Sequence, residues 1–233
     1  MFPIFRHVVF HTNYMAYVTG DFHTNLAYRL GETAAPSDST TKAMRLLWGN
    51  QGYLTIARRR YWYWQQATST ANTNTGATSY TEPSDLKEFI ELKIGDTYYD
   101  QIPYQQNRNL QGTAAIVTLP SLRSSYKFYR FGGSYFLLPV DSADGETHTI
   151  KYYKRVSAVT DGGTFLVPDD YAPAIEAFAE ARYWMSITQQ AKAAAPYQEF
   201  EEIVKEMERE NSRRGTGWSA GYGIQDPESG FPE

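Results

Sequence analysis

Apolar positions along the first third of the chain repeat at helical spacing. Between Lys42 and Trp64 the sequence reads KAMRLLWGNQGYLTIARRRYWYW, and Ala43, Leu47, Asn50, Leu54, Ala57, Tyr61 and Trp64 fall at alternating steps of four and three. That spacing lays one stripe along a helix. Pro36 to Thr40 supplies side-chain oxygens for the unpaired first-turn amides, so the start belongs there. Gly49 and Gly52 weaken the helix by about 1 kcal/mol each, but about six turns of pattern outweigh them, and small residues let a neighbouring helix approach. The spacing therefore predicts a helix over 42–64. A shorter one is expected from Asp21 to Gly31, with the glycine as its stop.

Residues 67–79, ATSTANTNTGATS, are polar with nothing to bury, and read as a flexible loop. Beyond it the period drops towards two. Leu86–Ile94 alternates as a strand, and Ala115–Leu119 is a short apolar run closed by Pro120. Strands are then expected over Tyr126–Phe131, Ser134–Val140, His148–Val156 and Phe165–Val167. The steps between them, Gly132-Gly133, Asp144-Gly145 and Asp161-Gly162-Gly163, tolerate the positive φ of tight hairpins. Helical period returns after Pro168-Asp169-Asp170, with Pro173 in the first turn, where its missing amide costs no bond. Its inward stripe is Ile175, Phe178, Ala179, Tyr183, Ser186 and Ile187. Lys192–Pro196 reads as a break. A last helix over Tyr197–Arg214 is expected to bury Phe200, Ile203, Val204 and Met207 and to pair Glu201 with Lys205 and Glu210 with Arg214.

The expected fold class is α+β, an antiparallel helical bundle from the N- and C-terminal helices with an inserted small antiparallel β domain. The boundaries are an arm over 1–20, the bundle over 21–67 and 168–214, the β domain over 68–167 and an extended tail over 215–233.

Composition narrows the function classes. Among 233 residues there is no cysteine, which removes disulfides and thiolate metal sites. The net charge of −4 argues against a broadly basic nucleic-acid-binding surface. No apolar run reaches the roughly 20 residues of a membrane span, and the N-terminus, with Arg6 and His7 inside its apolar patch, makes a poor signal peptide. Aromatics make up 15% of the chain, a type enriched at protein interfaces.

Catalytic signatures are missing from the sequence: it has no nucleophile elbow, phosphate-cradling glycine loop, zinc-type His pair or Walker motif. His7 and His11 stand four apart, but Val8, Val9 and Phe10 lean to strand. Asp96, Asp100, Asp144 and Asp161 sit beside glycine or at turns, where Asp is favoured for backbone hydrogen bonding alone. No enzyme, cofactor or metal is therefore expected. Arg58, Arg59 and Arg60 beside four aromatics have two readings: a grip on phosphate, or the C-terminal turn of a helix paired with an acidic neighbour. The acidic total favours the second. In the tail Trp218, Tyr222, Ile224 and Phe231 carry apolar groups without a core of their own, as a segment that orders on a partner does.

Several pieces stand in a telling order: NLAYRLGE, NQGYLTIARRRYWYW, a β block with YRFGGSYFLLPV and IKYYKR, FLVPDDYAPAIEAFAEARYWM, and EFEEIVKEMERE. Over residues 21–214 this order resembles the head-to-tail connector adaptors of tailed bacteriophages, in particular the rings beneath the portal of short-tailed phages. The resemblance implies a structural protein of the virion neck, made in the host cytoplasm. It further implies a ring of identical subunits, twelve in number, docked on the portal protein and joined to tail or nozzle proteins, with double-stranded DNA in transit through its bore. Arg58, Arg59, Arg60, Trp62 and Trp64, with Trp218, Tyr222, Ile224 and Phe231, are the candidate subunit or portal interface. A stopper or tail-completion ring and a carbohydrate- or receptor-binding tail module are the alternatives.

Overall fold

The computed structural model describes residues 16–105, 126–140 and 143–219, the last five of these as backbone only. The apolar run at Ala115–Leu119, residues 1–15 of the expected arm, the His7/His11 pair, and Tyr222, Ile224 and Phe231 lie outside the described residues. The chain divides into two compact units: residues 1–64 with 157–233, and residues 65–156.

The first unit holds a two-stranded antiparallel sheet, β1 (Ala16–Val18) with β9 (Thr164–Pro168), and four α-helices. These are α1 (Thr19–Arg29), α2 (Ser39–Arg59), α3 (Ala172–Ser186) and α4 (Gln190–Ser219). Gly31, at φ +78°, stops α1 as expected. Its amide bonds to the Tyr28 carbonyl and the Glu32 amide to that of Ala27, the paired bonds of a left-handed C-terminal cap. Asp38 caps α2 by accepting a hydrogen bond from the Thr41 amide at 2.7 Å.

Glycines set how closely the helices pack. A Cβ on Gly49 would stand 2.6 Å from the Phe22 ring, and one on Gly52 would stand 3.0 Å from the Phe178 Cβ, so both positions accept a neighbour that no larger residue allows. Helix α3 is buried on every side of its first three turns, through Ala174, Ile175, Ala177, Phe178, Ala179 and Ala181. It is a central element rather than an amphipathic one.

The predicted boundaries shift at two places. Helix α2 ends at Arg59, Arg60 is extended, and the aromatic run leaves the helix, with Tyr63–Gln65 as one 3₁₀ turn. The expected break at Lys192–Pro196 is helical instead. Thr188, at φ +62°, and Gln189 make the turn from α3, and Pro196 lies buried inside α4.

The second unit is a seven-stranded sheet in the order β2-β8-β4-β5-β6-β7-β3. Its strands are β2 (Gln66–Ser69), β3 (Ser79–Thr81), β4 (Leu86–Ile94), β5 (Thr97–Gln101), β6 (Lys127–Phe131), β7 (Ser134–Leu138) and β8 (His148–Lys154). All pairs are antiparallel except β5 with β6. Gly132 and Gly133, both at positive φ, turn β6 into β7. One face buries Phe89, Leu92, Phe128, Tyr135, Leu137 and Ile150. A bulge between Phe89 and Glu91 breaks the alternation of β4, so Phe89 joins Leu92 and Ile94 in the core while Ile90 is exposed.

The segment expected to be a flexible loop is ordered by its asparagines. The Asn72 side chain donates to the Thr81 carbonyl and the Tyr135 hydroxyl, at 2.8 and 3.0 Å. Buried Asn74 accepts from the Tyr80 hydroxyl at 2.9 Å, and its amide bonds to the Glu146 carbonyl. Next to this network Tyr135 Oη lies 2.6 Å from His148 Nδ1. The segment thus ties β3 and β7 to the stretch just before β8.

The expected fold class is overturned. The protein is mixed α+β with a large curled seven-stranded sheet and four helices among the described residues, not a helical bundle with a small antiparallel insert. Periodicity shows that a helix has a buried stripe but not what covers it. Part of that cover is β structure: Phe165 of β9 packs against Tyr17, Phe22 and Tyr53 at ring distances of 5.9, 5.7 and 5.3 Å.

Candidate functional site

The end of α2 and the second half of α4 form the most strongly functionalised part of the first unit. The three arginines separate in role. Arg59 chelates Glu201 through both guanidinium nitrogens and lies over the Phe200 ring, 5.3 Å from its centroid. The bond from Arg59 holds the Glu201 carboxyl below the usual carboxylate range despite some burial. Arg60, half exposed, stands 3.7 Å from Glu208, and Arg58 is exposed. The helix-end reading with acidic partners thus holds for Arg59 and Arg60. Glu201 reaches across to α2 in place of the expected pairing with Lys205, whereas Glu210 does bond Arg214.

The aromatic run is fastened rather than displayed. Trp62 is fully buried, donating its indole N–H to the Ile56 carbonyl at 2.7 Å, an acceptor left over at the helix end. Trp64 stacks between Trp62 and Tyr53, at 6.2 and 6.3 Å. Asn211 of α4 clamps the run from outside: its side-chain oxygen accepts from the Tyr63 amide at 2.9 Å, and its amide donates to the Tyr61 carbonyl at 3.1 Å. Arg214 lies 4.3 Å above the Tyr63 ring, and the Tyr171 hydroxyl donates to Glu210. Trp218 is on the last turn of α4, which runs through Gly215 and Gly217 where an extended tail was expected to begin. Of the predicted interface residues, the structure gathers Arg59, Arg60, Trp62 and Trp64 at one end of the unit.

Sequence reasoning missed the other wall of this place. Lys205, Arg209 and Arg213 are exposed along one side of α4 and, with Arg60, Glu208 and Ser212, line an open groove of about 400 Å³. Their i, i+4, i+8 spacing was the available signal. Apolar surface is also left bare: Met44 and Leu47 on the outer face of α2 are 47% and 55% exposed, beside Trp48, whose ring meets Tyr183 edge-on at 6.2 Å.

Among the described residues no group of three or more His, Asp or Glu could hold a metal ion. Asp144 and Asp161 accept hydrogen bonds from the Glu146 and Gly162 amides, the turn chemistry the sequence suggested, whereas Asp96 accepts from the Lys93 ammonium instead. Buried His23 stands 3.8 Å from Asp161. No helix among the described residues is long and apolar enough to cross a membrane.

Comparison with known proteins names the kind of protein that carries these fastened aromatics and arginine–glutamate ties. The family described as SU10 adaptor protein matches residues 19–222. The chain belongs to the SU10 adaptor protein family. It is a bacteriophage head-to-tail adaptor, a structural component of the virion neck that works between portal and tail proteins. No curated protein sequence matches the chain. Within the adaptor, the family match spans both compact units and ends beyond α4, so the sheet is as much part of the family pattern as the helices.

Proposed function

We propose that twelve copies of the adaptor form a ring that docks on the portal and carries the tail or nozzle below it, with double-stranded DNA passing through its bore. The observation carrying this reading is the family match over residues 19–222, which makes the chain a connector component. Bare apolar side chains agree with it. Met44, Leu47 and Tyr28, the last 61% exposed, are large groups that a ring neighbour would cover. Arg58 and Arg60, both exposed, serve the subunit or portal contact together with Trp62 and Trp64 of the adjoining run. Trp218, Tyr222, Ile224 and Phe231 belong to a tail that engages the portal on docking.

The test is to mix the purified adaptor with its cognate portal and image the product by electron microscopy. A ring of twelve-fold symmetry seated on the portal is expected, and an adaptor that stays monomeric with portal present would overturn the reading. In the same mixture, protease should trim residues 220–233 from the free adaptor and spare them in the complex. Equal trimming of both would remove the tail from the docking contact.

A further inference from the structure

The cationic groove on α4 matches a ligand of definite chemistry. Lys205, Arg209 and Arg213 succeed one another at about 6 Å along the helix, the rise of four residues. Arg60 closes the row from the end of α2. Four cations and the carboxylate of Glu208 leave +3 in this groove, on a chain whose net charge is −4. Lys205 and Arg209 form no ion pair with a described residue, while Arg59 beside them is committed to Glu201. Positive charge is thus concentrated here against the trend of the whole molecule.

We propose that this groove binds the sugar–phosphate backbone of duplex DNA without reading its sequence. Its lining decides between a nucleic acid and an acidic protein. A protein interface is anchored by buried aromatic side chains and arginines packed against apolar neighbours inside a polar rim. The lining here offers its arginines no aromatic or apolar side chain to pack against; all six residues are charged or hydroxyl-bearing. Phosphate binding asks only for that: regularly spaced guanidinium and ammonium groups that release condensed counterions, plus a hydroxyl donor such as Ser212. Contacts made to phosphate rather than to base edges carry no sequence information, so binding would be alike for every sequence. Acidic surface elsewhere would repel the duplex, so the grip is weak and local. The inference goes beyond the ring reading and does not need it, since DNA binding by the free adaptor and ring formation on the portal are scored by separate measurements.

The experiment titrates the full-length adaptor into a fluorescently labelled duplex of about 20 base pairs and arbitrary sequence, following anisotropy from about 50 to 200 mM salt. A dissociation constant of about 10⁻⁶ to 10⁻⁴ M is expected at the low end, with log affinity falling against log salt at a slope of about −3, one unit per phosphate engaged. The double reversal K205E/R209E should weaken binding at least tenfold. The double reversal K93E/K151E makes the same charge change on the seven-stranded sheet and should shift it less than twofold. Thermal melts by circular dichroism establish that both variants are folded, and the salt slope of the unaltered chain stands apart from either. The proposal is overturned if no binding appears at low salt, if the slope is near zero, if both variants lose affinity equally, or if poly-glutamate of matched charge competes as well as unlabelled DNA, which would mark an acidic protein as the occupant.

Discussion

His23 shows how one buried side chain links the adaptor's stability to pH. It is 3% exposed, and neither ring nitrogen has a hydrogen-bond partner among the described residues. Burial, reinforced by Lys42 and Arg45 and opposed by Asp161, holds its pKa below the ordinary 6.5. The folded chain therefore resists a proton that the unfolded chain accepts, so stability is full above 6.5 and declines as pH falls through that value. Urea midpoints at pH 7.5 and 5.5 should show this decline, and H23L should flatten it. At Gly49 the limit is steric. Replacing it by valine puts branched carbon where the Phe22 ring already stands, and should cost about 2 kcal/mol or more, read as a melting temperature lower by several degrees.

At the level of elements, the clamp between α4 and the run Tyr61–Trp64 makes its own prediction. N211A removes two hydrogen bonds, leaving the Tyr63 amide and Tyr61 carbonyl to find water. A loss of about 1–3 kcal/mol is expected, with tryptophan emission shifting red as Trp62 and Trp64 loosen. Much of this layer was legible in the sequence. The stop at Gly31, the cap near Asp38, the strand Leu86–Ile94, the Gly-Gly hairpin and the core side of α4 all follow from signals within a few residues of where they act. What was illegible depends on partners far along the chain. The bulge that turns Ile90 outward is set by pairing with β8, and the parallel pairing of β5 with β6 joins segments more than twenty residues apart. The asparagines of residues 72–74 read as loop because their hydrogen-bond partners, at Thr81, Tyr135 and Glu146, carry no local mark. The arginine groove was half legible: the run at 58–60 was plain, whereas Lys205, Arg209 and Arg213 lie among glutamates and separate from them only once α4 is wound.

For the whole molecule, the two compact units should melt as separate cooperative bodies. All five tryptophans (Trp48, Trp62, Trp64, Trp184 and Trp218) fall in the unit formed by residues 1–64 and 157–233, and the unit of residues 65–156 has only Tyr and Phe. Tryptophan emission therefore reports one unit, while far-ultraviolet dichroism reports both. Urea curves from the two probes should not coincide, and superimposable curves would mean a single cooperative body. The division also bears on how the protein is made. The helix-bearing unit is assembled from both ends of the polypeptide, whereas the sheet unit is one uninterrupted stretch of 92 residues, from 65 to 156. At a ribosome's pace of roughly 5–20 residues per second, α1 and α2 wait about 6–30 s for α3 to be translated, and the Gly52 face of α2 that receives Phe178 is uncovered meanwhile. The sheet has that interval to itself, so the last part of the adaptor to become native is the one whose first helices were born earliest.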